Sequence, residues 1–233
     1  MNNQFQADRV AARGHPAIGA ARAEFLARTY SHLFASIAIF TLIEIALFRS
    51  GLAERIAVSM LGVSWLLVLG GFVVVSWVAS RVAARAESMP AQYGALGGFI
   101  LAEALIFVPL LFLANLYAPG VISSAALVTL LAFAGLTAVV FVTRKDFSFL
   151  RGVVGYGMVV AVVAIVAATI FGWELGTWFS VGMIALAGAA ILWDTSRILH
   201  HYPEDRHVSA ALELFASVAL MFWYVLRLFM SRD

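Results

Sequence analysis

Asp194 closes an apolar run, "GAAILWDTSRILHH", and is trailed by Arg197 and two histidines. Glu103 sits inside another, "GGFILAEALIFVPLL", and Glu213 opens a third, "VSAALELFASVALMFWYVLRLF". Carboxyls held among apolar residues bind and release protons or cations, so the chemistry open to this chain is ion and proton handling. Bond-making chemistry has no foothold. The HExxH helix of zinc proteases, the GxSxG nucleophile elbow and the phosphate-cradling P-loop are all missing from the sequence. With no cysteine there is no thiolate nucleophile, disulfide or thiolate metal site. The chain is therefore read as a non-enzyme without a resident cofactor or metal.

The elements that must hold these acids are membrane spans. Of 233 residues, 63% are hydrophobic and 12% charged, well beyond soluble averages. The net charge of +2 is scattered between apolar runs, which excludes the clustered basic footprint of a nucleic-acid binder. A hydrocarbon layer needs roughly 20 apolar residues per helix. Seven runs qualify: Thr29 to Phe48, Ala57 to Ala79, Ala91 to Leu113, Val121 to Val142, Gly152 to Phe171, Trp178 to Trp193 and Val208 to Met230, the sixth with a possible start at Leu175. They are continuous rather than alternating, so they are helices and not barrel strands. The fold class is an all-α membrane protein, a seven-transmembrane helix bundle.

Eleven of the 15 basic residues lie on one side: Arg9, Arg13, Arg22 and Arg28, then Arg81 and Arg85, then Arg144, Lys145 and Arg151, then Arg197 and Arg206. The positive-inside rule puts that side, and the N-terminus with it, in the cytosol and the C-terminus outside. Residues 1–27 lack the apolar core of a signal peptide and read as a flexible cytosolic tail; residues 28–233 form one membrane domain. Trp173 and Trp178 fall at the outer interface, Trp77 and Trp193 near the inner one. Close helix contact in lipid calls for small side chains. Gly94, Gly98 and Ala102 offer them in span three and Gly182, Ala185, Gly188 and Ala189 in span six, while Gly155 and Gly157 loosen span five.

Depth sorts the acids. Glu103 lies 12 residues past the start of its span, roughly 18 Å into the layer at 1.5 Å per residue, where it serves either a structural hydrogen bond or an ion path. Glu44, four residues from the outer end of span one, can reach the interface. In the last span Ser209, Glu213, Ser217, Tyr224 and Arg227 recur at intervals of three, four or seven, forming one stripe that must face neighbouring helices. Glu213 then stands at the depth where Asp194 ends span six. Either the two carboxyls meet and share a proton, or Asp194 merely ends its helix in water while Glu213 snorkels. His200, His201 and His207, in "SRILHHYPEDRH", lack a usual metal spacing and read as a solvated loop.

Four stretches in register, "ARTYSHLFASIAIF", "TRKDFSFLRG", "ILWDTSRILHH" and "SAALELFASVALMFWYVLRLF", resemble the Bax inhibitor-1 family from Arg28 onward, and its bacterial YccA-type branch most. The resemblance implies a multi-pass protein of the bacterial inner membrane. It implies, as partner, the lipid bilayer and an FtsH-type AAA protease whose handling of membrane proteins this chain modulates. In ion-conducting members two aspartates, one ending span six and one in span seven, form a pH-sensitive latch for calcium leak. Asp194 matches the first, but Ser217 stands at the second, and Glu213 one turn earlier is the available substitute. Glu103 matches an acid frequent in span three of bacterial members, Gly70 or a neighbour replaces the conductors' acid in span two, and Arg81 falls on their basic position at its inner end. The alternative function is a pH-sensitive cation leak, with calcium or protons as cargo and calcium as a gating ion. A transporter is the weakest reading, since no broken-helix pair or repeat is visible.

Overall fold

The computed structural model of the chain describes residues 2–86 and 88–231, with side chains for 19–64, 66–86 and 88–231. Among the described residues it is all-helical: α1 (Asn2–Arg49), α2 (Leu52–Leu61), α3 (Trp65–Arg85), α4 (Met89–Tyr117), α5 (Val121–Thr143), α6 (Leu150–Phe171), α7 (Thr177–His200) and α8 (His207–Met230). All but α2 are long and apolar enough to cross a membrane. The chain thus has the seven spans expected, ordered up and down. One end of the bundle, here the basic end, carries the loops α3–α4, α5–α6 and α7–α8.

Three differences from expectation bear on the site. The second span starts at Trp65, not Ala57, because "GVS" interrupts the apolar run. Gly51, at φ 73°, turns the chain sharply after α1, a conformation that costs glycine little, and the short α2 then packs on α4. At the sixth span, α7 continues to His200 rather than stopping at Trp193. Asp194 is therefore inside the helix, about two turns from its end. Third, part of the stretch assigned to a tail is built into the bundle: Phe25 is 2% exposed and stacks on Tyr202. Arg22 donates to the carbonyls of Leu199 (3.1 Å) and Tyr202 (2.5 Å). The rest of that expected tail is not a loop either: from Asn2 its backbone continues α1, with side chains described from Gly19 onward.

The core gathers around α8, which packs against α7, α1, α5, α4 and α3. Aromatic rings join the centre: Phe107 of α4 meets Phe40 of α1 at 5.2 Å and Phe222 and Trp223 of α8 at 5.5 and 5.0 Å. Small-residue packing is more selective than the sequence suggested. A methyl on Gly157 would come within 2.6 Å of Leu186, marking a close α6–α7 approach, and one on Gly188 would touch Leu136 and Met221. Gly94, Gly98 and Gly182 face open space instead.

Basic residues at the basic end also close helices. Arg206 donates to the carbonyls of Ala84 (3.1 Å) and Ala86 (2.8 Å) at the end of α3, as Arg22 does for α7. Both satisfy carbonyls that a helix C-terminus leaves unpaired, with charge of the favourable sign for its dipole.

Candidate functional site

A cavity of about 1170 Å³ lies between α3, α4, α6, α7 and α8. It extends from Asp194, Arg197 and Glu213 at the basic end, past Glu103, to Glu174 and Arg227 at the other. The α8 stripe faces it as the spacing requires: Glu213, Ser217, Tyr224 and Arg227 all line it. Ser209, one turn outside, accepts a 2.8 Å hydrogen bond from the Tyr202 hydroxyl. Burial pushes the Tyr202 phenol above its ordinary pKa, so it stays protonated and donates.

At the mouth, the two acids take different partners. Asp194 is 4% exposed and accepts a 2.6 Å hydrogen bond from Ser217 Oγ. Glu213 forms an ion pair with Arg197, one turn of α7 beyond Asp194. The carboxyl-to-carboxyl meeting is thus replaced by two separate contacts, because Arg197 projects from the same face of α7 as Asp194 and neutralises Glu213. The guanidinium is held from both sides, 4.8 Å from the Trp193 ring and 4.9 Å from that of Tyr202. In the sequence Arg197 reads only as an orientation signal; its i+3 spacing from Asp194 is the available clue.

Elsewhere, Glu103 lines the middle of the cavity at 6% exposure. Arg81 does not join the site: it lies exposed on α3 with its guanidinium 4.7 Å from the Trp77 ring. Glu44 does not reach the interface either; it is 7% exposed, and its oxygens have no hydrogen-bond partner among the described residues. His207 belongs to the packed bundle rather than a solvated loop, 4% exposed and 4.9 Å from the His32 ring. Among the described residues no three His, Asp or Glu converge as metal ligands.

The α5–α6 loop is tied down beside this mouth. Ser196 Oγ accepts from the Phe147 amide at 2.9 Å. Asp146 accepts from the Ser148 amide (2.8 Å) and hydroxyl (2.5 Å) and pairs with His201 Nε2 at 3.0 Å. The Ser148 hydroxyl first, then His201, holds the Asp146 carboxyl well below the usual carboxylate range. "TRKDFSFL" and "TSRILHH", distant in sequence, therefore meet in space.

Those same stretches lie within a match, over residues 22–233, to the family described as inhibitor of apoptosis-promoting Bax1. The chain belongs to the Bax inhibitor-1 family. It is 36% identical over 113 residues to an uncharacterized protein of Pseudomonas aeruginosa, covering 47% of this chain and 50% of that one. It is 35% identical over 108 residues to the Escherichia coli K12 protein named modulator of FtsH protease YccA, covering 45% and 49%. A Vibrio cholerae membrane protein is 31% identical over 106 residues, covering 45% and 47%. The chain spans about half the length of the curated relatives it matches. As a Bax inhibitor-1 protein with seven apolar helices, it is a multi-pass membrane protein, and a YccA relative is named an inner membrane protein.

Proposed function

We propose that this protein restrains an FtsH-type AAA protease in the bacterial inner membrane, with no bond-making chemistry of its own. The observation that carries this reading is the 35% identity to a relative named as a modulator of that protease. The geometry supplies a consistent handle. Arg22 and Phe25 anchor the start of the bundle against α7 and Tyr202, so the stretch of α1 before them leaves from the basic end, the side that the positive-inside rule assigns to the cytosol. A membrane-bound AAA protease grips its targets there. The test is a deletion confined to residues 1–18, which spares the Arg22 and Phe25 contacts. In cells expressing the full chain, a short-lived FtsH substrate should gain half-life, and the deletion should return it to that of cells without the protein. A half-life unchanged by the full chain overturns the proposal.

The length of the cavity favours a second reading, a pH-sensitive cation leak. Asp194, Ser217 and the Arg197–Glu213 pair form its cytosolic gate, Glu103 lines its middle, and calcium or a proton is the cargo. Liposomes containing the protein should then pass calcium with a pH dependence that Asp194→Asn removes; vesicles that stay calcium-tight at every pH exclude it.

A further inference from the structure

Glu103 is a buried acid without a partner. Its residue is 6% exposed, and its carboxyl forms no hydrogen bond or ion pair with any described residue, although it lines an open cavity. An acid in that position stays protonated, or as a carboxylate costs several kcal/mol unless something answers its charge. The cationic side chains of the cavity are committed elsewhere: Arg197 to Glu213 at one end, Arg227 to the Leu175 carbonyl (3.0 Å) at the other. Rings stand near Glu103 among aliphatic side chains such as Ile106 and Leu110. Phe99 and Phe107 flank it one turn before and after on the same face of α4, and both line the cavity. Phe72 of α3 lies 6.4 Å from Phe99, and Trp223 of α8 stands edge-on to Phe107 at 5.0 Å.

We propose that this aromatic-walled middle of the cavity binds a lipophilic organic cation, such as a phosphonium or quaternary ammonium compound, with Glu103 as counter-charge. The chemistry selects this class over the others. A bare metal ion needs several oxygen donors, and no such set converges among the described residues. An anionic or phosphate-bearing ligand would meet the Glu103 carboxylate, whereas a diffuse cation gains from the carboxylate and from the half-buried Phe72 and Trp223 rings together. Size agrees, since about 1170 Å³ is at or above the upper range of small-molecule pockets. There is also a way in. α3 and α6 meet only sparsely, and Phe72 and Ser76 of one and Met158 and Ile165 of the other line the cavity, so a ligand dissolved in the bilayer can pass between them. The inference rests on neither reading of the protein's function; its failure leaves both standing, and theirs leaves it standing.

The probe is tetraphenylphosphonium, and the control is tetraphenylborate, which has the same shape and the opposite charge. Equilibrium binding is measured on the full chain in lipid nanodiscs, with empty nanodiscs subtracted. Wild type should bind the phosphonium saturably and the borate not at all. Glu103→Gln should weaken phosphonium binding at least about tenfold, the loss of one charge interaction of about 1.4 kcal/mol or more. Phe72→Ala, which removes one wall and leaves the carboxyl in place, should weaken it about threefold to tenfold and carries the test if Glu103→Gln fails to fold. On wild type alone, a hydrophobic carbodiimide should modify Glu103 less in the presence of phosphonium than of borate. No saturable phosphonium binding, equal binding of the borate, or phosphonium binding untouched by both substitutions overturns the proposal.

Discussion

Replacing Arg197 by Met should damage the protein more than replacing its partner Glu213 by Gln, and replacing both should damage it least. Both side chains are about a quarter exposed, at 28% and 27%, so the pair is mostly withdrawn from water. Removing one member of a fully buried pair costs about 3–5 kcal/mol because the other charge is stranded; partial exposure trims that to about 2–4 kcal/mol for Arg197→Met. That variant also loses the Trp193 and Tyr202 ring contacts and leaves Glu213 one turn of α8 from Ser217, the partner of Asp194. Glu213→Gln strands only Arg197, which keeps both rings at about 0.5–1 kcal/mol each, so its cost is about 1–2 kcal/mol. A paired Met substitution removes both charges together and should stay within about 1 kcal/mol of wild type. For a chain of this size 1 kcal/mol moves the melting midpoint by roughly 2–4 °C, so Arg197→Met should lower it by about 4–16 °C and the double variant by 4 °C or less. The assay is the apparent midpoint in detergent, followed by fluorescence-detected size exclusion at one fixed heating protocol. Losses that simply add in the double variant would refute the coupling.

Ser217→Ala should cost about 1.5–3 kcal/mol, the worth of a hydrogen bond to a charged group, measured by the same melt; no loss would mean the Asp194 contact is incidental. Asp146→Asn should loosen the α5–α6 loop at neutral pH, seen as lower hydrogen-exchange protection of the Ser148 amide. Because the folded carboxyl titrates below its unfolded value, its contribution is complete above about pH 4 and fades as pH falls toward the folded value, so the ratio of variant to wild-type protection should approach one in strong acid. A ratio that stays constant into strong acid contradicts this. Gly157→Ala pushes the methyl end of the half-buried Leu186 aside, a cost of about 1 kcal/mol that offsets the helix-propensity gain, so the midpoint should fall below that of Gly98→Ala. Gly98→Ala meets open space and should leave it unchanged or raise it; equal behaviour of the two would contradict the α6–α7 contact.

Long hydrophobic runs and one polar stripe were readable because both follow from helix periodicity in an apolar solvent. Seven spans and the inward face of α8 needed nothing more. The partner of Glu213 was not readable, since Arg197 and Asp194 share a face of α7 and which one meets α8 depends on packing geometry. As two of eleven basic residues on one side, Arg22 and Arg206 speak in the sequence only for orientation, and their work on the ends of α7 and α3 needs the packed helices. "GVS" is a weak break by composition, so α2 vanished into the second span. Glycine spacing failed for a related reason: a repeat of four places Gly94 and Gly98 on one face without saying whether another helix comes there. The aromatic frame of Glu103 was visible as Phe99 and Phe107 at i−4 and i+4, but only α3 and α8 complete it.

The most direct measurement is degradation of one membrane substrate by purified FtsH-type protease in proteoliposomes, at rising ratios of this protein to protease. The account predicts a rate that falls as the full chain is added and stays constant when residues 1–18 are missing. A rate indifferent to the full chain would contradict it.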